Sequence, residues 1–370
     1  MQERLRLLLN PWYESLKEPT RSQKLVLKRI MKGYEETRFG SGRNADEISS
    51  IEAFRKNFPV VTFECLKPHI EKVKQGNFHE VLPDVPIEWA MTRGTTGKSK
   101  LIPMTKTDLD QRVACGSRGL LNFVYRTKRY DILKGYCLNL NFPSTVGSMR
   151  VGNDEVNYGY SSGIYAKYNA KEARLNLVPK QEEIDALGKG ITKRDWENRF
   201  DLAYNEAKDK RVTMLIGVTQ TIIQFGSYLK KRYGFYPKDI WNMDLLVCTS
   251  ITGINTKYKP SLKGLYGDVS VVEIYGATEG MYAQQIDDRP YVVPNYDTYF
   301  FEVETKKTMK MLCELRKGEI GSLVVSSCLF PRYKIGDLIK CVGGNYYTVI
   351  GREKRFTRIK HLFDRMFDTF

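Results

Sequence analysis

The sequence predicts an α/β protein with a largely parallel sheet, followed by a β-rich segment. Three observations carry this expectation. Short aliphatic and β-branched runs (YCLNLNF at 136–142, RVTMLIGV at 211–218, MDLLVCTSI at 243–251, VSVVEIYG at 269–276) recur with helical stretches such as TQTIIQFGSYLKKRYG between several of them. Strands alternating with helices pair in parallel, because each crossover returns the chain to the same end of the sheet. Beyond Pro290 the texture changes: YFFEV, IGSLVVSSC, DLIKCV and NYYTVIG follow one another closely, and GGN at 343–345 reads as a hairpin turn. Finally, 42% of the 370 residues are hydrophobic and 12% aromatic, enough to pack a core.

The elements justify themselves in order. The first eighty residues read as helical. TRSQKLVLKRIMKGYEE spaces Leu25, Leu27, Ile30 and Met31 between charges, an amphipathic pattern. SSIEAFRKNFPVVTFECLKPHIEKVKQGN sets serines before an apolar run and closes a second helical pattern on Gly76. IEWAMT (87–92) is a short buried strand that leads into TRGTTGKSK (92–100), and KLIPMT (100–105) is extended. Thr107 is the expected N-cap of a helix through DLDQRVACGSRGLLNFVYR. The helix over 219–233 ends on two lysines, an arginine and Gly234, residues suited to a helix C-terminus. The expected organisation is helical over 1–80, α/β over 81–290 and β-rich over 291–350. In 351–370, Phe356, Ile359, Leu362, Phe363, Met366, Phe367 and Phe370 share one helical face, with Arg355, Arg358, Lys360 and Arg365 elsewhere. Such a helix buries its stripe on its own domain or on a partner chain; a basic membrane-surface helix is the alternative.

Charge and cysteine usage narrow the function classes. The net charge of +16 suits an anionic partner. The basic residues are spread along the whole chain, however, and no RNP, KH or zinc-finger pattern accompanies them, so nucleic acid is not the expected partner. Seven cysteines without a CxxC pair fit neither a disulfide framework nor a zinc ribbon. Three histidines (His69, His79, His361) with no HExxH spacing offer little for metal or acid–base work. LRLLL near the N-terminus is too short for a signal-peptide core, and no apolar run is long enough to span a bilayer. A soluble, cytoplasmic protein is expected.

The GKS inside TRGTTGKSK suggests a Walker A loop, but the pattern fails twice. Thr92 stands where the first glycine belongs, five positions before Gly97, and Pro103 falls in the second turn of the helix that should follow. The alternative is a strand–loop–strand that wraps phosphates. Gly94 and Gly97 allow close backbone approach, Thr92, Thr95 and Thr96 offer hydroxyls, and Lys98 and Lys100 supply positive potential. A plain glycine turn between strands would look much the same.

Three further motifs, in order, single out a family. TRGTTGKSK resembles the [ST]SGTTGxPK loop of acyl-adenylate-forming (ANL) enzymes. IYGATEG (274–280) is similar to their YGxTE motif, PRYKIGD (331–337) to their Y[RK]xGD motif, and GREK (351–354) to their hinge. FPVVTFECLKPHIEKVKQG, GVTQTII, and YGATEGMYAQQ with VPNYDTYFFEV narrow the resemblance to the Gretchen Hagen acyl acid amido synthetases, over about residues 50–352.

The resemblance implies a large ANL-type adenylation domain that uses ATP and Mg²⁺. In this chemistry a carboxylate attacks the α-phosphorus of ATP, and an amine such as an amino acid then displaces AMP. Thr92, Gly94, Thr95, Thr96 and Gly97 would cradle the phosphates, and Thr278 would hydrogen-bond the α-phosphate. Glu279 would ligate Mg²⁺, and Thr95, Thr278 and Glu279 would form the catalytic set. Tyr275, with Gly276 and Ala277, would hold adenine; Asp337 would accept from the ribose hydroxyls, with Arg352 beside it at the hinge. Val218 and Thr219 would border the acyl pocket. Arg93 replaces a family serine, and its guanidinium would either grip a phosphate or obstruct the loop. Family members continue past the hinge into a mobile C-terminal lid; here Phe370 lies eighteen residues after Arg352, so the expectation is that the lid is absent and 351–370 is a hinge remnant. Two other readings stay open: an acyl-coenzyme A ligase-like enzyme, and a lidless protein that binds nucleotide or acyl-adenylate without turnover.

Overall fold

The computed structural model describes residues 1–92, 99–172 and 175–353. Helices open the chain: α1 (Gln2–Lys17), α2 (Pro19–Tyr34), the short α3 (Arg38–Ser41), α4 (Ile51–Asn57) and α5 (Phe63–Lys74). Helix α2 starts with Pro19, which suits a first turn because its missing N–H has no intrahelical partner there. Its buried face is Gln23, Val26, Leu27, Ile30, Met31 and Tyr34, while Leu25 is exposed. Ser50 caps α4, its hydroxyl accepting from the Ala53 N–H.

By internal contacts the described chain divides into two compact units. The first comprises Met1–Pro11, Lys72–Phe78 and Asp84–Pro290; the second comprises Trp12–Glu71, His79–Pro83 and 291–353.

In the first unit, β1 (Pro86–Met91) and β2 (Leu101–Thr105) pair antiparallel on either side of the glycine-rich loop. Helix α6 (Lys106–Thr127) follows without a linker. Its N-cap is Thr105, whose hydroxyl accepts from the Asp108 N–H, and not Thr107 as the sequence suggested. Thr107 is already helical, and its hydroxyl donates to Asp84. Next come β3 (Tyr136–Leu138), β4 (Gly147–Val151), β5 (Asp154–Tyr160), α7 (Ser161–Glu172), β6 (Leu177–Val178), α8 (Gln181–Ala186) and α9 (Lys193–Ala207). The unit is completed by β7 (Val212–Val218), α10 (Thr219–Tyr233), β8 (Leu245–Thr249), α11 (Lys259–Tyr266), β9 (Ser270–Ala277) and β10 (Gly280–Gln284).

The sheets of this unit are mixed, the larger one with a run of parallel strands as the sequence suggested. In the larger one β6, β3, β7, β8 and β9 run parallel, but β10 folds back antiparallel on β9. A second sheet, ordered β2-β1-β5-β4, has only its central β1–β5 pair parallel. Hairpins account for the difference: short turns at β9–β10 and β4–β5 allow no crossover, so the strands they join must be antiparallel.

The parallel strands read as continuous apolar runs because both their faces are covered. Leu215, Leu246 and Cys248 pack with Ile222, Phe225, Leu229 and Leu262 on one face. Met214, Leu245, Val247, Val272 and Ile274 pack with Leu120, Phe123 and Val124 on the other. The β4–β5 hairpin is anchored at its tip. Gly152 (φ +59°) donates to the Lys74 carbonyl at 2.8 Å, and a Cβ added there would meet the Cα of Gly76 (φ +95°) at 3.3 Å.

The second unit contains β11 (Val293–Pro294) and a five-stranded antiparallel sheet. That sheet is built from β12 (Phe300–Thr305), β13 (Met309–Met311), β14 (Ile320–Ser326), β15 (Tyr333–Gly343) and β16 (Tyr346–Arg352), in the order β13-β12-β14-β15-β16. The β15–β16 turn uses Gly343 and Gly344, both at positive φ, where the sequence placed its hairpin. Gln23 of α2 is fully buried here. Its amide donates to the carbonyls of Tyr296 and Tyr299 and accepts from the Phe301 N–H.

Candidate functional site

In the first unit the predicted residues sit at strand ends. Thr92 follows β1, donating its N–H to the Lys100 carbonyl and accepting the Lys100 N–H on its hydroxyl, both at 2.9 Å. These two bonds close the base of the glycine-rich loop, and the chain leaves it as a β-strand, not as the helix of a Walker A loop. Arg93, Gly94, Thr95, Thr96, Gly97 and Lys98 lie outside the described residues.

Tyr275, Gly276 and Ala277 end β9, and Ala277 pairs with Gly280 across the hairpin. Thr278 and Glu279 are therefore the two loop residues, half-buried and presented by a short turn. Gly276 lies tightly against β10, where a Cβ would come within 2.8 Å of the Gly280 carbonyl oxygen. The Tyr275 ring is buried and packs at 5.8 Å from that of Tyr282. Val218 ends β7 and Thr219 begins α10. Thr219 is fully buried, its hydroxyl donating to the Thr249 carbonyl at 2.8 Å, so that side chain ties the ends of β7 and β8 together.

A cluster built on β9 was missed by sequence reasoning. Glu273 stands in the middle of the apolar run of β9, and its signal was visible there: a carboxylate inside VSVVEIYG. Its backbone N–H donates to the side-chain oxygen of Gln285 at 3.0 Å. The Asn255 amide donates to both Glu273 (3.2 Å) and Gln285 (3.0 Å). Asn255 belongs to a π-helical turn (Ile254–Tyr258), introduced by Ser250 and Gly253 at positive φ. Burial pushes the Glu273 carboxyl up from an ordinary 4.5 to about 7, against the opposing pull of the Asn255 bond. A raised carboxyl pKa stabilises the fold where the group is protonated, and that contribution is lost as pH rises from about 4.5 through about 7. Glu273→Gln should thus match wild type near pH 4 and exceed it by up to about 3 kcal/mol at pH 8. Urea unfolding of both proteins across that range checks this; a difference that does not vary with pH would contradict it.

The remaining predicted residues belong to the second unit. Asp337 and Arg352 are register partners on β15 and β16. The Arg352 Nε lies 3.0 Å from the Asp337 carboxylate, and its Nη1 donates to the Ile335 carbonyl at 2.9 Å. Asp337 is 8% exposed, and Gly336 before it takes φ +83°. One arginine thus fixes both the acid and the backbone of the turn that carries it.

Residues 9–183 match the GH3 family N-terminal domain. Indole-3-acetic acid-amido synthetase GH3.2 of Arabidopsis thaliana is 33% identical over 101 residues, 27% of this chain and 18% of the relative. The first half of the chain is thus similar to the N-terminal domain of GH3 proteins. Jasmonoyl–L-amino acid synthetase JAR6 of Nicotiana attenuata is 21% identical over 88% of this chain and 67% of its own. Against the first of these GH3 relatives the chain aligns with less than a fifth of the relative's length. The fold is that of the AtGH3.15 acyl acid amido synthetase in complex with 2,4-DB, with TM-score 0.76, 17% identity, and 95% of this chain and 70% of the other covered. An open conformation of 2-hydroxyisobutyryl-CoA ligase shares it, with TM-score 0.62, 15% identity, and 89% and 74% covered.

Thr278 and Glu279, a hydroxyl and a carboxylate on one short turn, are groups of the kind that a magnesium-bound nucleotide takes. Among the described residues no group of three or more His, Cys, Asp or Glu could hold a metal ion. Mg²⁺ bound through one or two carboxylates and substrate phosphates needs no such cage, and Glu279 offers a half-buried carboxylate. No helix among the described residues is long and apolar enough to cross a membrane.

Proposed function

We propose that this chain uses ATP to activate a carboxylic acid as its acyl-adenylate, and that the acyl group then passes to an amine, with an amino acid as the acceptor class. The observation that carries the reading is the ordered set of four motifs, lodged in a fold shared with AtGH3.15. Those among the described residues sit on strand ends and tight turns, where rigid elements hold catalytic groups.

In this reading Thr92 and the 93–98 loop receive the phosphates, Thr278 donates to the α-phosphate, and Glu279 holds Mg²⁺. The ion supplies positive charge to the phosphate oxygens as charge develops there. Tyr275, Gly276 and Ala277 border adenine, Asp337 with Arg352 receives the ribose, and Val218 lies beside the acyl group. Thr219 acts through the hydroxyl that secures the β7–β8 ends. Seven cysteines without a CxxC pair suit a reducing cytoplasm, a location that cell fractionation would check.

ATP–pyrophosphate exchange, measured across a panel of carboxylic acids, tests the reading. Exchange that depends on one class of acid supports it, and mass spectrometry of products formed with amino acids or coenzyme A separates amide from thioester synthesis. ATP or AMP binding with no exchange for any acid would favour a non-catalytic binder instead.

A further inference from the structure

Asp337 does not sit on a regular ladder. Val324 of β14 pairs with Lys334, but Ser322, two residues earlier, pairs with Leu338, four residues later, so β15 carries two extra residues in that interval. Ile335, Gly336 and Asp337 form this bulge, a device that re-aims a side chain away from its neighbours' direction. The far end of the bulge is held by the ladder at Leu338 and by Arg352.

The near end is held by Arg332, a residue that neither the motif roles nor the reaction uses. Arg332 is 5% exposed and takes φ +42°, in the left-handed region that non-glycine residues rarely occupy. Its guanidinium grips the buried Glu302 through Nε (2.8 Å) and Nη2 (3.3 Å). The Nη1 donates to the carbonyls of Phe58 (2.7 Å) and Arg55 (3.2 Å), at the end of α4. Its backbone N–H donates to the Ser326 hydroxyl at 2.9 Å. Val61 brackets it, donating to the Arg332 carbonyl (3.0 Å) and accepting from the Lys334 N–H (2.8 Å). Side chain and backbone together lock an uncommon conformation directly before the bulge. Lysine cannot replace this planar fork, because a point ammonium does not span a carboxylate and two carbonyls in one plane.

We propose that Arg332 is a positioning residue for ribose recognition: it sets the entry of the bulge that presents Asp337. The proposal rests on the nucleotide reading above. Its readout is the preference for AMP over 2′,3′-dideoxy-AMP, which a general loss of stability would not move. The preference reports hydrogen bonds from the ribose hydroxyls to a charged acceptor and should be about tenfold or more in the wild-type chain.

The experiment is calorimetric titration of wild type, Arg332→Lys and Ser326→Ala with both nucleotides, alongside thermal melts. Arg332→Lys should lower the preference to about twofold or less while leaving dideoxy-AMP affinity near wild type, and Ser326→Ala should lower it in part. A wild-type preference in Arg332→Lys, even with a depressed melting temperature, overturns the proposal. If that variant does not fold, an unchanged preference in Ser326→Ala overturns it. The two failures are distinguishable: wild type binding neither nucleotide defeats the nucleotide reading, whereas a preference that survives Asp337→Ala leaves nucleotide binding intact and overturns Asp337 as the ribose acceptor, and the role of Arg332 with it.

Discussion

Glu279→Gln is expected to lower ATP–pyrophosphate exchange by about 10²–10³-fold, with the protein still folded. The substitution conserves volume and shape, and the side chain is only half-buried on a two-residue turn whose register is set by Ala277 and Gly280. The hairpin should therefore survive, which circular dichroism and an unchanged melting temperature would show. What changes is the charge: an amide oxygen is a much weaker ligand for a hard cation than a carboxylate. The variant should accordingly need more Mg²⁺ for half-maximal exchange. A plain packing role for Glu279 predicts the reverse pattern, with altered stability and an unmoved Mg²⁺ dependence. Wild-type exchange at low Mg²⁺ in Glu279→Gln would remove this residue from the metal assignment.

The parts of the fold legible in the sequence were those with one dominant signal. The runs that became β7, β8 and β9 were read correctly because strands covered on both faces carry few polar residues. The Gly343–Gly344 turn was legible because positive φ favours glycine. The β4–β5 hairpin was not read: β4 alternates intermediate with exposed positions, β5 is buried only at its last two residues, and neither presents an apolar run. The cap of α6 was misplaced because two threonines stand within one turn, and only the join to β2 decides between them. The terminal amphipathic pattern over 356–370 and the loop residues 93–98 fall outside the described chain.

At the candidate site, the motifs supplied residue identities, but nothing in the sequence showed how each side chain is used. Thr219 shows the limit, since no pattern distinguishes a pocket-lining hydroxyl from one spent on the Thr249 carbonyl. Glu273, Glu302 and Arg332 are the opposite case. Each is a charge within an apolar or motif-bearing stretch, and a charge there demands a partner. The sequence could raise that question, but the partners lie far along the chain: Glu302 is 30 residues from Arg332 and 247 from Arg55.

That network carries the largest stability effect expected. Glu302→Ala should destabilise the protein by about 3–5 kcal/mol, a large part of the whole stability of a typical domain. The Glu302 side chain is 1% exposed and is held by the Arg55 Nε at 2.8 Å as well as by Arg332, whose own side chain is 6% exposed. Alanine leaves the Arg332 guanidinium buried without its carboxylate, and water cannot reach it to compensate. Glu302→Gln should cost less, because an amide oxygen in the place of Oε1 still accepts two of the three bonds. Glu304, two residues along the same strand, provides the internal control. It also pairs with a cation, Lys334, at 2.7 Å, but its side chain is 46% exposed. Glu304→Ala should therefore cost no more than about 1 kcal/mol. Urea unfolding of the three variants measures the contrast. Equal, small losses at both positions would mean that the Glu302 cluster is solvated in solution, and the locked conformation of Arg332 would lose its physical basis.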